Sequence, residues 1–150
     1  MDLSRLKQEL LDACLAEIDD RATSLKKVME DAQQSANDYG QPKDRYDSYR
    51  TQLLRKRDLF GQQLGKILEQ RSILERMDAE KVHSMVGFGS LVITNKQKIF
   101  VSVGIGKFTF KGEDFFVISP TVPFCQAMEA KKVGDSFDFR GQKFSIKDIR

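Results

Sequence analysis

Residues 11–36 read LDACLAEIDDRATSLKKVMEDAQQSA, and their spacing decides the first half of the fold. Apolar residues recur along this stretch in alternating steps of four and three. They are Leu11, Leu15, Ile18, Ala22, Leu25, Met29, Ala32 and Ala36. This spacing places one apolar stripe along an α-helix and is typical of a coiled coil. The pattern predicts a long first helix from about Leu3 to Ala36.

A second helical segment follows, in which apolar residues recur every seven positions. They are Tyr46, Leu53, Phe60, Ile67 and Leu74. Between the two segments, Gly40 is suited to end the first helix and Pro42 to open the second. Residues 1–38 hold nine acids and five bases, whereas residues 43–78 hold six acids and nine bases. A short connection and opposite charges predict an antiparallel helical hairpin over residues 1–78, which we expect to be monomeric.

The second half, residues 79–150, has a different composition. Ten of the eleven phenylalanines lie between Phe88 and Phe144, in short runs with Val, Ile and Gly. We predict strands over Gly87–Thr94, Ile99–Val103, Phe115–Ile118, Ser136–Phe139 and Lys143–Ile149. Ser119 and Pro120 predict a helix start, with a helix through about Glu129. The fold class is therefore α+β, with the hairpin followed by a small antiparallel β-sheet domain carrying one helix.

Composition and single residues exclude several classes of protein. A net charge of +3 is too small to indicate nucleic-acid binding. No apolar run is long enough for a membrane helix, and Cys14 and Cys125 are too far apart to form a metal motif, so we expect a cytoplasmic protein. His83 is the only histidine, and we expect a surface or linker residue. Residues 104–107 lack the spacing of a phosphate loop and predict a tight turn. We expect no enzymatic activity of the chain's own.

Acidic residues gather around the bend, in and beside residues 37–49, which we call the hairpin tip. They are Asp31, Asp38, Asp44 and Asp47. Carboxylates are the oxygen ligands with which proteins hold Mg²⁺, usually one or two at a time. Aspartates near a turn also cap helices and form Asx-turns, and the residues alone favour that structural reading.

Basic residues follow on the second helix. They are Arg45, Arg50, Arg55, Lys56 and Arg57. Such a cluster is suited to nucleic acid or to an acidic protein channel. It is equally typical of a solvated face opposite an acidic helix, which needs no partner.

The second half contains four short motifs in a characteristic order. They are Val86-Gly87-Phe88-Gly89-Ser90-Leu91-Val92, Ile118-Ser119-Pro120, Ala127 and Lys131-Lys132-Val133-Gly134-Asp135. With these motifs the second half resembles the C-terminal domain of the bacterial Gre transcript-cleavage factors, which has an FKBP-like fold. The preceding helical hairpin also matches the Gre architecture, so the resemblance spans the whole chain. The chain therefore resembles a divergent member of the Gre family.

This resemblance implies a function and a partner. Gre factors dock their C-terminal domain at the rim of the secondary channel of RNA polymerase, and acids at the hairpin tip help to hold a Mg²⁺ in the polymerase active site. Docking would fall on Ser119, Pro120, Lys131, Lys132, Gly134 and Asp135. Contact with nucleic acid would be indirect, through the polymerase, and no membrane is implied. Possible metal ligands, shared with the polymerase, are Asp38 and Asp44.

The hairpin tip departs from the family pattern. When Tyr46 is aligned with the family's tyrosine, Tyr39 and Pro42 stand where the two critical acids belong. Either Asp38 and Asp44 substitute for them from a shifted loop, or the tip does not support cleavage. We favour a channel-occupying regulator of elongation or initiation. The alternatives are a structural coiled-coil adaptor for another protein and, less favoured, an FKBP-like prolyl isomerase whose phenylalanines line a pocket.

Overall fold

The structure is a computed structural model, and it describes residues 2–150. The chain forms two compact units. The hairpin unit is Ala16–Ser72, and the sheet unit combines the segment up to Leu15 with Ile73–Arg150. The predicted boundary at residue 78 followed the change in composition, whereas the compact units group the first turns of the chain with the sheet.

The hairpin unit contains most of two long helices, α1 (Leu3–Tyr39) and α2 (Tyr49–Glu75). The Arg71 guanidinium donates to Asp19 at 2.5 Å, and further along the unit Arg57 donates to Gln33. Between these pairs, Met29 of α1 packs against Gly61 of α2. A Cβ atom added at Gly61 would lie 3.3 Å from the Met29 methyl group. Partner numbers fall on α2 as they rise on α1, so the helices are antiparallel and the predicted hairpin is confirmed.

The predicted apolar stripe of α1 lies inward within the hairpin unit. Ile18, Ala22, Ala32 and Ala36 are buried, whereas Leu25 and Met29 are half-buried. A two-helix hairpin covers only one side of each helix, so half-burial is expected for its larger side chains. Leu15 was predicted in the stripe but is only half-buried. Upstream of Ile18 the predicted Leu11 is buried, but the fully buried apolar positions are Leu10 and Cys14, because those turns belong to the sheet unit.

On α2 the inward row repeats in steps of four and three. Its members are Leu53, Arg57, Phe60, Leu64, Ile67, Arg71 and Leu74. Two of them are arginines that donate hydrogen bonds to polar side chains of α1, so a pattern of apolar residues alone does not include them. Tyr46 was predicted to begin this row, but it is 77% exposed and precedes the helix.

The sheet unit has six strands and one short helix. These are β1 (Leu91–Thr94), β2 (Lys98–Val101), β3 (Gly106–Phe110), β4 (Glu113–Ile118), α3 (Pro123–Met128), β5 (Ser136–Phe139) and β6 (Gln142–Ile149). The spatial order is β3-β4-β2-β1-β6-β5. A hairpin followed by a small sheet with one helix is therefore confirmed.

The sheet is mixed rather than wholly antiparallel, because β2 and β4 run parallel. The reason is β3, a strand that the sequence reading missed. After β2 the chain bends at residues 102–104, and β3 begins at Gly106, within the 104–107 segment that was wrongly predicted as a tight turn. Strand β3 then forms the sheet edge, and the chain returns as β4. Lys111 and Gly112 both have positive φ, 52° and 77°, which is the geometry of a two-residue hairpin turn.

Helix α3 is shorter than predicted and begins at Pro123 instead of Pro120. Val122 precedes a proline, and its backbone is extended, with φ −72° and ψ 150°. Proline disfavours helical geometry in the residue before it, so a helix could not run from Pro120 through Val122. A proline does occupy the first turn of α3, as expected, but that proline is Pro123 and not Pro120.

The main core of the sheet unit lies between the sheet and α3. Val92, Ile99 and Val101 pack with Cys125 and Met128 of the helix. Beside them the Phe124 ring meets three other rings edge-on, with centroids 5.1–5.5 Å apart; these are Phe137, Phe139 and Phe144. Each such buried side chain contributes roughly 1.5–3 kcal/mol. Most of the phenylalanine enrichment is thus accounted for by core packing.

The opposite face of the sheet is buried too, and the first turns of α1 are attached to this unit. Leu91, Phe100 and Val117 form one cross-strand row and are fully buried. The Lys111 ammonium donates to Glu9 of α1. We infer that the N-terminal turns of α1 cover this row, because their side chains are buried as well; these are Leu6, Leu10, Leu11 and Cys14.

Lys7 is fully buried within the sheet unit. Its Nζ donates to the backbone carbonyls of Lys81 at 2.9 Å and Arg150 at 3.0 Å. Burial lowers the pKa of Lys7 to about 8, an effect that the negative charge of Asp78 partly opposes. One lysine therefore ties α1 to the chain after α2 and to the residue after β6. Across residues 2–150, no helix combines the length and apolar character needed to cross a membrane.

Candidate functional site

The hairpin tip begins where α1 ends. Gly40 has a φ of +79°, and its N–H donates to the carbonyl of Ala36 at 3.1 Å. Glycine adopts this left-handed geometry without the steric cost that a side chain would incur. The prediction that Gly40 ends the first helix is confirmed.

Asp47 organises the rest of the tip. One carboxylate oxygen accepts the Tyr39 hydroxyl at 2.5 Å and the Lys43 N–H at 2.8 Å, and the other accepts the Tyr49 N–H at 3.1 Å. These donors come from the end of α1, from the loop and from the start of α2. The second helix was predicted to begin near Pro42, but it begins at Tyr49, because the Asp47 carboxylate holds residues 43–48 in a separate loop.

The same hydrogen bonds shift two ionisation equilibria. The Lys43 N–H and then the Tyr39 hydroxyl stabilise the carboxylate and hold the pKa of Asp47 below its ordinary value. The bond to Asp47 raises the pKa of Tyr39 to about 12, because ionised Tyr39 would face a carboxylate without a proton between them. At neutral pH, Asp47 is therefore an ionised acceptor and Tyr39 a neutral donor.

The two predicted metal ligands are exposed, and each is bonded within its own segment. Asp38, in the last turn of α1, accepts the Gln34 side-chain amide at 2.8 Å. Asp44 accepts the Tyr46 N–H at 2.7 Å, which is an Asx-turn. In the part of the chain that the structure describes, no three His, Cys, Asp or Glu side chains are grouped to hold a metal ion. Mg²⁺ binding by Asp38 and Asp44 stays a prediction.

Cations and tyrosines occupy the remainder of the tip. The Lys43 ammonium lies 5.1 Å from the Tyr39 ring centroid, and the Arg45 guanidinium lies 4.7 Å from that of Tyr46. The rings of Tyr39 and Tyr49 meet edge-on at 4.8 Å. Tyr39 and Tyr49 thus close the bend of the hairpin, whereas Tyr46 has 77% of its surface exposed.

Some residues of the basic cluster bond other side chains, and others face solvent. Arg57 is paired with Asp58 at 2.7 Å and also bonds Gln33. Arg55 and Lys56 are exposed on α2. The Nε atom of Arg50 is buried and has no hydrogen-bond partner. The solvated-face reading therefore fits Arg55 and Lys56, while Arg57 belongs to the helix pairing.

The predicted docking residues lie in two turns of the sheet unit, on either side of α3. In the first turn, the Ser119 hydroxyl bonds Thr121, and Pro120 is exposed. In the second, the Lys132 N–H donates to the Asp135 carboxylate at 2.8 Å. Gly134 there has a φ of +92°, and Lys131 bonds Val86 through the backbone.

The opening motif of the resemblance forms a tight turn before β1, which begins at Leu91 and not at the predicted Gly87. The buried Ser90 hydroxyl donates to the Gly87 carbonyl at 2.6 Å. Gly89 has a φ of +89°, and a Cβ there would lie 3.4 Å from Nε2 of half-buried His83. These motif residues are accounted for by backbone geometry and packing.

Two features of the molecule were missed by the sequence reading. Lys7 lies in a charge-rich first turn, where nothing distinguishes a buried lysine from exposed ones. Tyr46 with Arg45 was also missed, because its seven-residue spacing from Leu53 favours a place inside the coiled coil. The signal that identifies a loop is the pair Asp44 and Asp47, since both carboxylates accept backbone N–H groups there.

Comparison with known proteins gives a limited result. No family model matches the sequence, and no curated protein is a significant match. Among solved structures, the chain is similar to GreA factor homolog 1 (Gfh1) of Thermus thermophilus, with 18% identity and a TM-score of 0.36, over 95% of this chain and 93% of that one. A second structure, of the transcription factor Gfh1, is 18% identical with a TM-score of 0.34, over 94% and 91%.

Proposed function

We propose that this chain is a Gre-like factor that binds bacterial RNA polymerase. In this proposal the sheet domain docks at the rim of the secondary channel, and the hairpin tip occupies the channel toward the active site. The observation that carries the proposal is the order of parts. A helical hairpin with an ordered tip is followed by a small sheet domain that holds the Gre-like motifs at special backbone positions, among them Gly89 and Gly134.

We further propose that the tip acts by occupancy more than by metal delivery. At the two positions where the family keeps its critical acids, this chain has Tyr39, whose hydroxyl is bonded to Asp47, and Pro42, which offers no side-chain ligand. Asp47 already accepts three hydrogen bonds. Within residues 37–49 this leaves Asp38 and Asp44 as carboxylates for a cation, and Mg²⁺ requires near-octahedral geometry.

The experiment is RNA cleavage in a stalled, backtracked elongation complex. We expect weak or absent release of the 3′ RNA fragment when the chain is added alone, and inhibition of the release that a cleavage-competent Gre factor stimulates. Strong release by the chain alone, lost in Asp38→Ala or Asp44→Ala, would show that the tip delivers a metal after all. Arg55→Ala is the control, because it changes an exposed residue of α2 outside the tip.

A further inference from the structure

The side chain of Tyr46 is largely exposed to solvent. Among the large hydrophobic side chains that the structure describes, it is the most exposed, at 77%. A ring that is held in this position is suited to receive another flat, apolar surface.

The backbone around Tyr46 is held in place from both sides. Its own N–H donates to the Asp44 carboxylate at 2.7 Å. The next residue, Asp47, accepts bonds from Tyr39, Lys43 and Tyr49. Because these hydrogen bonds already fix the backbone on both sides of Tyr46, we expect binding there to lose little conformational entropy.

The Tyr46 ring also has a defined partner. The Arg45 guanidinium lies 4.7 Å from its centroid, which is cation–π distance. Arg45 forms no ion pair within residues 2–150, and neither do Lys43 or Arg50. A tyrosine backed by an unneutralised arginine has the chemistry by which proteins stack unpaired bases, since every base offers a π-face and an arginine can also reach a phosphate.

We propose that Tyr46 and Arg45 form a stacking site for one unpaired nucleobase, carried by a free nucleotide or by the end of a single strand. Residues 38–50 hold three acids and three bases, so attraction of phosphates by net charge is small and stacking supplies most of the affinity. The site needs only the chain itself, and its test is therefore independent of polymerase binding.

The test is an NMR titration of the full ¹⁵N-labelled chain with AMP and, separately, with a short single-stranded oligoadenylate. We expect the Tyr46 amide and the Arg45 side-chain signals to shift. Shifts with AMP identify a free nucleotide as sufficient, and shifts with the oligonucleotide alone identify a strand end. Tyr46→Phe should keep the affinity, while Tyr46→Ala should weaken it roughly 5- to 100-fold, as loss of a stacked base does.

The matched charge control is Arg55→Ala, which removes a cation from the exposed face of α2. We expect no change in affinity for this variant, a loss for Arg45→Ala, and only a weak dependence on salt. The proposal is overturned if neither ligand shifts Tyr46. It is equally overturned if Arg45→Ala and Arg55→Ala weaken binding alike with a steep salt dependence, because phosphate attraction would then explain the binding.

Discussion

The hydroxyl of Tyr39 lies 2.5 Å from a carboxylate oxygen of Asp47, so the last residue of α1 is bonded to the residue two positions before α2. The hairpin tip is thereby closed by a side-chain contact between its two ends. Since Asp47 also accepts the N–H groups of Lys43 and Tyr49, one carboxylate sets the geometry on which both proposals for the tip depend.

The first prediction concerns Asp47→Asn. The Lys43 and Tyr49 N–H groups bond different oxygens of Asp47, and asparagine keeps only one acceptor oxygen, so at least one of these two amides should exchange with solvent faster. The pKa of Tyr39 should fall from about 12 toward its ordinary value of 10.0, as followed by ultraviolet absorbance. Asp38→Asn is the control, because within residues 2–150 the Asp38 carboxylate bonds only the Gln34 side chain. Unchanged Tyr39 titration in Asp47→Asn would contradict the assigned bond.

The second prediction concerns the pH dependence of stability that Lys7 introduces. Its folded pKa of about 8 lies below the ordinary 10.5, so between these values the unfolded chain binds more protons than the folded one. The free energy of unfolding should therefore rise with pH across this window, by about 3 kcal/mol. Denaturant unfolding at a series of pH values measures this rise. Lys7→Met should lack it, and an equal rise in both proteins would assign it to other groups.

The third prediction tests the packing of the hairpin. Ile18 is fully buried, and Ile18→Ala should lower the free energy of unfolding by about 2–5 kcal/mol through lost apolar contact and a residual cavity. Leu59 of α2 is 55% exposed, and Leu59→Ala should change the free energy of unfolding by less than about 0.5 kcal/mol. Thermal and urea unfolding followed by circular dichroism measure both. Similar costs for the two variants would show that the buried row is misassigned.

The fourth prediction tests whether the backbone geometry of two glycines in the Gre-like motifs determines how much each contributes to stability. Gly134 has a φ of +92° and open space around its Cβ direction, so Gly134→Ala should cost about 1–2 kcal/mol from backbone strain alone. Gly87 also has open space but no positive φ, and Gly87→Ala should be neutral or stabilising by up to about 1 kcal/mol. Thermal unfolding compares the two. A neutral Gly134→Ala would mean that this glycine is not required by the turn.

Sequence patterns predicted the parts of the fold whose spacing follows from local geometry. The heptad stripe from Leu11 to Ala36 placed α1, although Leu15 within it is only half-buried, and the match for β5 was complete at Ser136–Phe139. The patterns failed where a tertiary contact overrides spacing. Strand β3 has only Phe108 and Phe110 as its alternating apolar pair, and its place at the sheet edge depends on pairing with β4.

The candidate site shows the same limit. Asp38, Tyr39, Asp44 and Asp47 were selected as tip residues because they flank a Gly and Pro bend. Their spacing cannot show that Asp47 is the acceptor that holds the tip together while Asp38 and Asp44 stay exposed. That distinction depends on which donors the fold brings within hydrogen-bond distance.

The most direct test of the central claim is binding of the labelled full chain to purified bacterial core RNA polymerase, followed by competition with an authentic Gre factor. The account predicts a one-to-one complex from which an excess of the Gre factor displaces the chain, because both would occupy the same channel. Absence of a complex at micromolar concentrations, or a complex that the Gre factor does not displace, would contradict it and favour a coiled-coil adaptor for another partner.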